Sequence, residues 1–285
     1  MRTLKLILEL EAEEKFSEDH HFSSAIRGIF GRKLKRAFCL QKNIKCNKCS
    51  MRNCLYYRIF EKKYSNRFNI RPYIIEHLST KNKKIHIQSI FFGDITNNFS
   101  EILMIFLKMR STQIKVNKKW IKFRLKKIED HTGKTIYENR KDEITEPSLY
   151  HINLKNISTH LSLKFITPLR MKKKSRLMSN FDFQHFYNIL HAKILHINKN
   201  FYNNELELPS TNDNNIKVIK KTFSWKEFYR ESFKQNQKMS LGGLIGSIEL
   251  IGVNSEAGKI LQLGEHFHAG KQSVFGLGKY EIKEI

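Results

Sequence analysis

The sequence lacks any long apolar segment. Its longest apolar run is ILMIFL at residues 102–107, whereas a membrane-spanning helix needs about 20 such residues. The N-terminal stretch MRTLKLILELEAEEK alternates apolar and charged residues, which is typical of a strand and not of a secretory signal peptide. We therefore expect a soluble, cytoplasmic protein with no membrane partner.

Acidic residues are scarce relative to basic ones. The 285 residues include 27 Asp and Glu against 52 Lys and Arg, which is a formal net charge of +25. Such an excess costs self-repulsion, and a polyanionic partner is the usual reason for it. Hydrophobic residues still make up 40% of the chain, enough for the cores of two ordinary domains. We expect a folded protein that binds nucleic acid, with an anionic membrane surface as the alternative.

Glycine is scarce except near the C-terminus, where nine of the 13 glycines follow from Gly242 onward. The segment GEHFHAGKQSVFGLGKYEI, residues 264–282, is not a P-loop, because five residues separate Gly264 from Gly270 and Gln272 replaces the required Ser or Thr. Two interpretations remain. Either backbone amides and Lys271 hold an RNA phosphate, or the segment is a tight connection into a final strand at residues 273–285.

Hydrophobic periodicity predicts the order β-α-β-β-α-β twice. The first pass includes a strand at residues 2–12, a helix from Ser23 or Ser24 as N-cap, and strands around residues 73–79, 85–93 and 118–130. The second pass is less regular. We predict an α+β protein of two tandem ferredoxin-like (RRM-like) domains, at residues 1–140 and 141–285, with the polar segment GKTIYENRKDEITEPS at their boundary.

All four cysteines lie in one segment of the first domain, CLQKNIKCNKCSMRNC. Their spacing would allow a cysteine-rich insertion at residues 39–54 to bind a structural zinc ion or an iron–sulfur cluster. Reduced thiols are the alternative, and disulfides are not expected in a reducing compartment. No histidine or carboxylate joins the cluster, so we expect no catalytic metal. The ligands would be Cys39, Cys46, Cys49 and Cys54.

The terminal segment resembles the C-terminal signature of the CRISPR-associated repeat-processing endoribonucleases of the RAMP superfamily. It has their glutamate, histidine, GK, serine and FGLG in order. SLGGLIGSIEL, LKFITPLRMKK and SSAIRGIFGRKLKRAFC resemble further elements of that family, with departures at Phe233, Lys234 and Ala269. The resemblance implies a metal-independent ribonuclease of two ferredoxin-like domains that cuts the repeats of CRISPR precursor RNA, with no cofactor for catalysis.

Metal-free RNA cleavage needs a proton acceptor for the ribose 2′-hydroxyl, a proton donor for the leaving 5′-oxygen, and cations at the phosphate. Histidine suits the first two roles. The motif residues are His268 and Lys271, and further candidates are His266 and, ahead of the first helix, His20 and His21. The alternatives are that His268 only braces the loop and that His20 and His21 are ordinary surface residues.

RNA contacts are expected from the glycine-rich segment, from two basic runs and from the element ESFKQNQ. The alternative for the basic runs is a solvated face. The expected partner is CRISPR repeat RNA, and we also consider a non-catalytic RAMP subunit that holds RNA within a CRISPR effector complex, or a general nucleic-acid binder. The residues predicted to contact RNA are Gly270, Ser273, Gly276, Gly278, Arg32, Lys33, Arg170, Lys172, Lys173, Lys174 and Gln235.

Overall fold

The computed structural model describes residues 1–17, 20–41, 43–64, 70–139, 141, 143–209, 215–227, 229–232 and 237–285. The chain forms two compact units, the first ending at Ile152 and the second running from Asn153 to Ile285. The first unit thus extends beyond residue 140, where the sequence placed the boundary. None of the described helices has the length and apolar character needed to cross a bilayer.

The first unit contains a βαββαβ core with additional strands. Residues of β1 alternate between buried and partly exposed positions, because one face of the strand packs against the helices. A π-helical turn (Tyr57–Glu61) and a 3-10 turn (Gly93–Asn98) lie between the main elements. The elements are β1 (Arg2–Ala12), α1 (Ser23–Phe38), β2 (Tyr73–Lys81), β3 (Lys84–Phe92), α2 (Phe99–Leu107), β4 (Ser111–Val116), β5 (Lys119–Asp130), β6 (Thr135–Glu138) and β7 (Tyr150–His151).

The sheet of the first unit has the strand order β2-β3-β1-β5-β4, and β6 and β7 pair with β5 and β1. Its hairpins β2-β3 and β4-β5 turn through Asn82-Lys83 and Asn117-Lys118, all four with positive φ, which is the two-residue turn that suits the twist of antiparallel strands. The sequence analysis found β5 but missed β4, a short edge strand whose inward side chains are few.

Helix α1 buries Ile26, Phe30 and Leu34 as its periodicity predicted. Its predicted N-cap was wrong. Phe22 occupies the N-cap position without a side-chain cap, and Ser23 lies inside the helix with a buried Oγ that has no hydrogen-bond partner among the described residues. Phe22 is itself fully buried, so its packing outweighs the capping preference of serine.

The second unit repeats the same order of elements around a four-stranded sheet, β11-β14-β8-β15. Two small hairpins, β9-β10 and β12-β13, project from it. Its elements are β8 (His160–Leu169), β9 (Lys172–Lys173), β10 (Arg176–Leu177), α3 (Phe183–Tyr202), β11 (Lys217–Lys226), β12 (Tyr229–Ser232), β13 (Gln237–Ser240), β14 (Gly243–Ile251), α4 (Ser255–Phe267) and β15 (Tyr280–Glu284). The predicted class, two tandem ferredoxin-like domains, is confirmed.

The predicted final strand at residues 273–285 was too long. Only Tyr280–Glu284 is extended, and Ser273–Phe275 forms a 3-10 turn. The cause is the backbone of Gln272, Gly276 and Gly278, each of which has a positive φ that no strand accommodates. The glycine-rich segment is therefore a compact loop between α4 and β15.

Candidate functional site

The glycine-rich loop, residues 268–279, is joined by backbone hydrogen bonds to the end of β8. Lys271 N donates to Arg170 O at 2.8 Å, and Gly278 N donates to Pro168 O at 3.0 Å. The Thr167 hydroxyl donates to Gly276 O at 2.7 Å and accepts from Lys279 N at 2.8 Å. The TPLR segment and the glycine-rich segment, which carried the family resemblance separately, thus form one structure.

The strand β14 is tied to the same place through Arg170. The side chain of Arg170 is buried and its guanidinium donates to the carbonyl oxygen of Gly242. A Cβ on Gly243 would lie 2.6 Å from Leu169 O, so the strand pair can approach this closely only with glycine there. All three motifs recognised in the second half of the sequence therefore meet at one end of the second unit's sheet.

The shape of the loop has a local cause at Gly270 and Gly278. Both have positive φ, and an added Cβ would lie 2.5 Å from Arg170 O at Gly270 and 1.9 Å from Ala269 O at Gly278. One interpretation of the sequence was that these glycines allow an RNA phosphate to approach closely. In the structure, what approaches Gly270 and Gly278 is the protein's own backbone.

Several loop amides that could have formed a phosphate nest are used inside the protein. Besides Lys271 N and Gly278 N, Ala269 N donates to Gly278 O, Phe275 N to Gln272 O and Gly276 N to Ser273 O. These amides cannot also bind a phosphate. The side chains of the loop, notably the exposed Lys271 and the half-buried Ser273, are therefore the stronger candidates for RNA contact.

Lys193, which the sequence analysis missed, lies beneath the loop. It projects from α3, its side chain is 4% exposed, and its Nζ donates to Phe267 O at 2.9 Å, to His268 O at 2.7 Å and to the Ser273 Oγ at 3.0 Å. Burial lowers the Lys193 pKa to about 7. One buried amine therefore connects the end of α4 to the 3-10 turn of the loop.

His268 is buried within the loop, with 1% of its surface exposed. Burial, followed by the charges of Lys193 and Lys279, lowers its pKa to about 3, although hydrogen bonding with the backbone of Leu277 and Gly276 acts in the opposite direction. The imidazole is thus neutral at neutral pH and enclosed by the loop. This position favours the bracing alternative over direct proton transfer, whereas His266, two residues earlier in α4, is partly exposed.

A cationic groove of about 540 Å³ lies beside the loop in the second unit. Lys271 and Gln272 line it from the loop, and the hairpin β9-β10 lines it from the other side. None of the described residues that line it is acidic, so its field attracts phosphate. The lining residues are Arg170, Lys172, Ser175, Arg176, Leu177, Lys271 and Gln272.

The structure separates the three lysines of the second basic run. Lys172 lines the groove, Lys173 forms a 3.3 Å ion pair with Asp182, and Lys174 lies at the hairpin turn with positive φ. Arg176, which the sequence analysis did not select, also lines the groove. Gln235, together with Phe233 and Lys234, lies outside the described residues.

The remaining predicted site residues belong to the first unit. His20 and His21 precede α1 and are half-buried, and the His21 ring lies 5.7 Å from the ring of His77. Burial, followed by His77 and His20, lowers the His21 pKa to about 3. Arg32 is exposed on α1 and Lys33 is half-buried. Spacing could not have revealed His77, because β2 brings it to His21 from far along the chain.

The four cysteines are free thiols. Cys49 Sγ donates to Gln41 Oε1 at 2.9 Å, and Cys54 Sγ accepts from Tyr57 N at 3.4 Å. Burial, followed by Glu61, raises the Cys46 pKa, which opposes formation of a thiolate ligand. Within the described part of the chain no three histidine, cysteine or acidic side chains are grouped to hold a metal ion. The arrangement does not fit a tetrahedral site, and the predicted metal stays a prediction.

Two family models match the chain. A model described as an N-terminal domain matches residues 1–149, and the model of the CRISPR-associated endoribonuclease Cas6 matches residues 163–280. The fold and these matches define a RAMP-fold protein of CRISPR repeat processing. Over residues 163–280 the chain is similar to the CRISPR-associated endoribonuclease Cas6, which supports an RNA-cleaving protein of CRISPR RNA processing. The resemblance inferred from the sequence motifs is confirmed.

Solved structures support the fold. A Thermus thermophilus Cas6 in a product complex is 13% identical with a TM-score of 0.58, covering 99% of this chain and 100% of that one. A Cas6-related protein of Pyrococcus furiosus is 11% identical with a TM-score of 0.52, covering 99% of each chain. A partial Cas6-RT-Cas1–Cas2 complex is 14% identical with a TM-score of 0.51, covering 100% of this chain and 46% of the other. No curated protein sequence matches the chain.

Proposed function

We propose that the protein is a metal-independent endoribonuclease that cuts CRISPR precursor RNA within its repeats. The ribose 2′-hydroxyl attacks the adjacent phosphorus and the bond to the 5′-oxygen breaks, which leaves a 2′,3′-cyclic phosphate and a 5′-hydroxyl. The proton of the 2′-hydroxyl goes to a base, and the leaving oxygen receives a proton from an acid. Similarity to the Cas6 endoribonuclease model over residues 163–280 supports RNA cleavage.

The observation that carries this proposal is the cationic groove beside a rigid loop. Lys172, Arg176 and Lys271 surround a cavity large enough for a phosphate and its sugar. The loop that presents Lys271 is held by Thr167, Pro168 and Arg170 through four hydrogen bonds. Cations placed at the phosphate stabilise negative charge that develops during the reaction. We therefore assign Lys271 to charge stabilisation and the groove to backbone binding.

For proton transfer we propose His21 as the base. Burial lowers its pKa to about 3, so the imidazole is neutral at neutral pH, and the negative charge of a bound phosphate would raise that pKa toward the working pH, where an imidazole serves best as a base. Part of its surface is exposed, whereas His268 is enclosed. We assign His268 to bracing the loop, and His266 remains the next candidate for proton transfer.

The proposed reaction is tested with repeat RNA and purified protein in excess EDTA. We expect cleavage to persist, with cyclic phosphate and 5′-hydroxyl ends, because no step uses a metal. A single 2′-deoxy substitution at the cut site should abolish cleavage while preserving most of the binding affinity. Cleavage of the deoxy substrate, or loss of cleavage in EDTA that Mg²⁺ restores, would overturn the mechanism.

The histidine assignments predict different behaviour for three variants in single-turnover cleavage. His21→Ala should slow cleavage by about 10²–10⁴-fold, which is the usual contribution of general acid–base catalysis. His20→Ala serves as the matched control from the adjacent position and should retain the wild-type rate. His268→Ala should lower thermal stability while the rate per folded molecule changes little. A large rate loss confined to His268→Ala would return the base role to His268.

One observation favours a second candidate function, a non-catalytic RNA-binding subunit. The motif histidine is the most enclosed of the candidate proton-transfer groups, and a RAMP protein that only holds RNA would need the groove and not the base. One similar structure is a partial Cas6-RT-Cas1–Cas2 complex, and assembly with other CRISPR proteins is compatible with either function. Tight, salt-dependent binding of repeat RNA without any cleavage would support this alternative.

A further inference from the structure

The buried Lys193 donates three hydrogen bonds within the protein. An ammonium group has three donors and no acceptor, and all three donors of Lys193 are used: one at Phe267 O at the end of α4, one at His268 O and one at the Ser273 hydroxyl. Because the hydroxyl oxygen accepts this bond, its own proton is left to donate elsewhere. Ser273 is half-buried and keeps access to solvent, next to the residues Lys271 and Gln272 that line the cationic groove.

Loss of one proton from Lys193 would reverse the direction of its hydrogen bond with Ser273. A neutral amine has two donors and one lone pair, so it can still donate to Phe267 O and His268 O, which only accept. The remaining lone pair must then accept from the Ser273 hydroxyl, because a hydroxyl can donate as well as accept. The Ser273 proton is thereby withdrawn from any ligand of the loop.

We propose that Lys193 is a positioning residue for RNA binding, whose ammonium form leaves the Ser273 hydroxyl proton available to a phosphate oxygen of the RNA. This inference rests on the proposed binding of RNA at the loop and deepens it. Lys193 itself touches no RNA, since its three donors are used within the protein. It acts through the direction in which Ser273 donates, and through the positive charge that it places beneath the loop.

The groups around Lys193 set the pH range in which it loses its proton. Burial lowers its pKa to about 7. His268 faces it from the end of α4 and is neutral above pH 3 or so, because its own pKa is lowered to about 3, and Lys279 adds a second cation beside that imidazole. The Tyr280 hydroxyl on β15 stays protonated, because burial raises its pKa well above 10. Of these groups, Lys193 is the one whose pKa lies between pH 6 and 8.5.

The pH dependence caused by Lys193 has opposite signs for RNA affinity and for the stability of the fold. RNA binding is strongest where Lys193 is charged and weakens as pH rises above about 7, at most tenfold per pH unit because one proton is linked. Stability of the fold changes in the opposite direction. A lysine whose pKa is lowered on folding binds fewer protons in the native state, so this group makes the protein more stable as pH rises from about 7 toward 10.5.

The test measures the affinity for repeat RNA carrying a 2′-deoxy residue at the cut site, from pH 6 to 8.5 at constant ionic strength. For the wild type we expect the dissociation constant to rise steadily above pH 7. Lys193→Met removes the charge and should bind roughly tenfold more weakly at pH 6, about the contribution of one charged hydrogen bond, with a much flatter pH dependence.

Ser273 variants keep the inference testable if Lys193→Met does not fold. Ser273→Ala retains both carbonyl partners of Lys193, so the loop should stay folded, but affinity and pH dependence should both fall. Ser273→Thr retains a hydroxyl and should restore both. Folded Ser273→Ala and Lys193→Met proteins with the wild-type pH dependence would overturn the inference. If RNA is nevertheless cleaved normally, the proposed function stands although the inference fails. If binding shows a Lys193-dependent pH effect but the RNA is not cleaved, only the proposed enzyme activity is overturned.

Discussion

At the scale of single residues, the loop conformation requires glycine where an added Cβ would clash with the protein's own backbone. Gly278 has φ +74°, and an added Cβ would meet the carbonyl oxygen of Ala269 at 1.9 Å. Gly133 offers a matched comparison, because it has a similar φ of +84° with no atom within 4 Å of the added Cβ. The two positions therefore separate the cost of the backbone conformation from the cost of the clash.

We predict that Gly133→Ala lowers the free energy of unfolding by about 1–2 kcal/mol, the cost of a left-handed conformation for a residue with a Cβ. Gly278→Ala should lower it by clearly more, because Ala269 O is backbone and cannot move aside independently. Denaturant titration of both variants and the wild type would measure the difference. Equal losses at the two positions would show that the loop adjusts to the added methyl group.

The sequence could reveal the motif residues of the site but not their partners. The positions of Gly270, Lys271 and Ser273 follow from the motif, whereas the acceptor of each loop amide is set by the tertiary structure. Lys193 did leave a signal. It falls on the apolar stripe of α3 with Leu190, Ile194 and Ile197, and a lysine on a buried stripe needs a hydrogen-bonding partner. Which acceptors it would meet depends on a loop distant in sequence.

At the scale of elements, hairpin β9-β10 places the lysines of one basic run in two different environments. Lys172 lines the groove, whereas Lys173 is paired with Asp182. We predict that Lys172→Ala lowers the slope of log affinity against log salt by roughly 0.7, the value for one lost phosphate contact on single-stranded nucleic acid. Lys173→Ala is the matched control and should change the slope little. RNA titrations between low and moderate salt would measure both, and equal slopes for the two variants would assign the run to a solvated surface.

Elements with regular periodicity were predicted well, and those shaped by single backbone angles were not. Strand β1 was predicted with its observed bounds. The last strand was overextended, because apolar residues such as Val274 and Leu277 are buried in a loop and not in a sheet. Hydrophobicity shows that a residue is buried, but it does not show that Gly276 adopts positive φ and ends the extended conformation.

The cysteine segment, residues 39–54, has a metal content and a number of free thiols that can be measured directly. Because Cys49 and Cys54 are hydrogen-bonded to Gln41 and Tyr57, we expect four titratable thiols in the reduced native protein and no stoichiometric metal. Elemental analysis after purification without chelator, beside a thiol assay, would decide. About one zinc ion or one cluster per chain, lost in Cys46→Ser together with stability, would instead support the predicted metal site.

At the scale of the whole molecule, the domain boundary depends on contacts made after residue 140. Strand β7 pairs with β1, and Ile152 N donates to Met1 O at 2.9 Å. Ser148 N donates to Asp130 Oδ2 at 2.9 Å. Although burial alone would raise it, hydrogen bonds from Thr132 and Ser148 lower the Asp130 pKa to about 2. The segment that composition marked as a linker is thus part of the first unit's structure. We propose that the boundary of the first folding unit lies at Ile152.

We predict that a fragment of residues 1–152 unfolds cooperatively and is more stable than a fragment of residues 1–140. The shorter fragment loses the strand pairing at Arg2 and Thr3, the burial of Ile152 and the amide that Ser148 donates to buried Asp130. Burial of one isoleucine alone contributes about 1.5–3 kcal/mol, so a difference of at least ~2 kcal/mol should appear in urea titrations followed by circular dichroism. A fragment of residues 1–157 is the control for length and should match the 1–152 fragment. If the 1–140 fragment were equally stable, the boundary would lie where composition placed it, and residues 141–152 would add nothing to the first unit's stability.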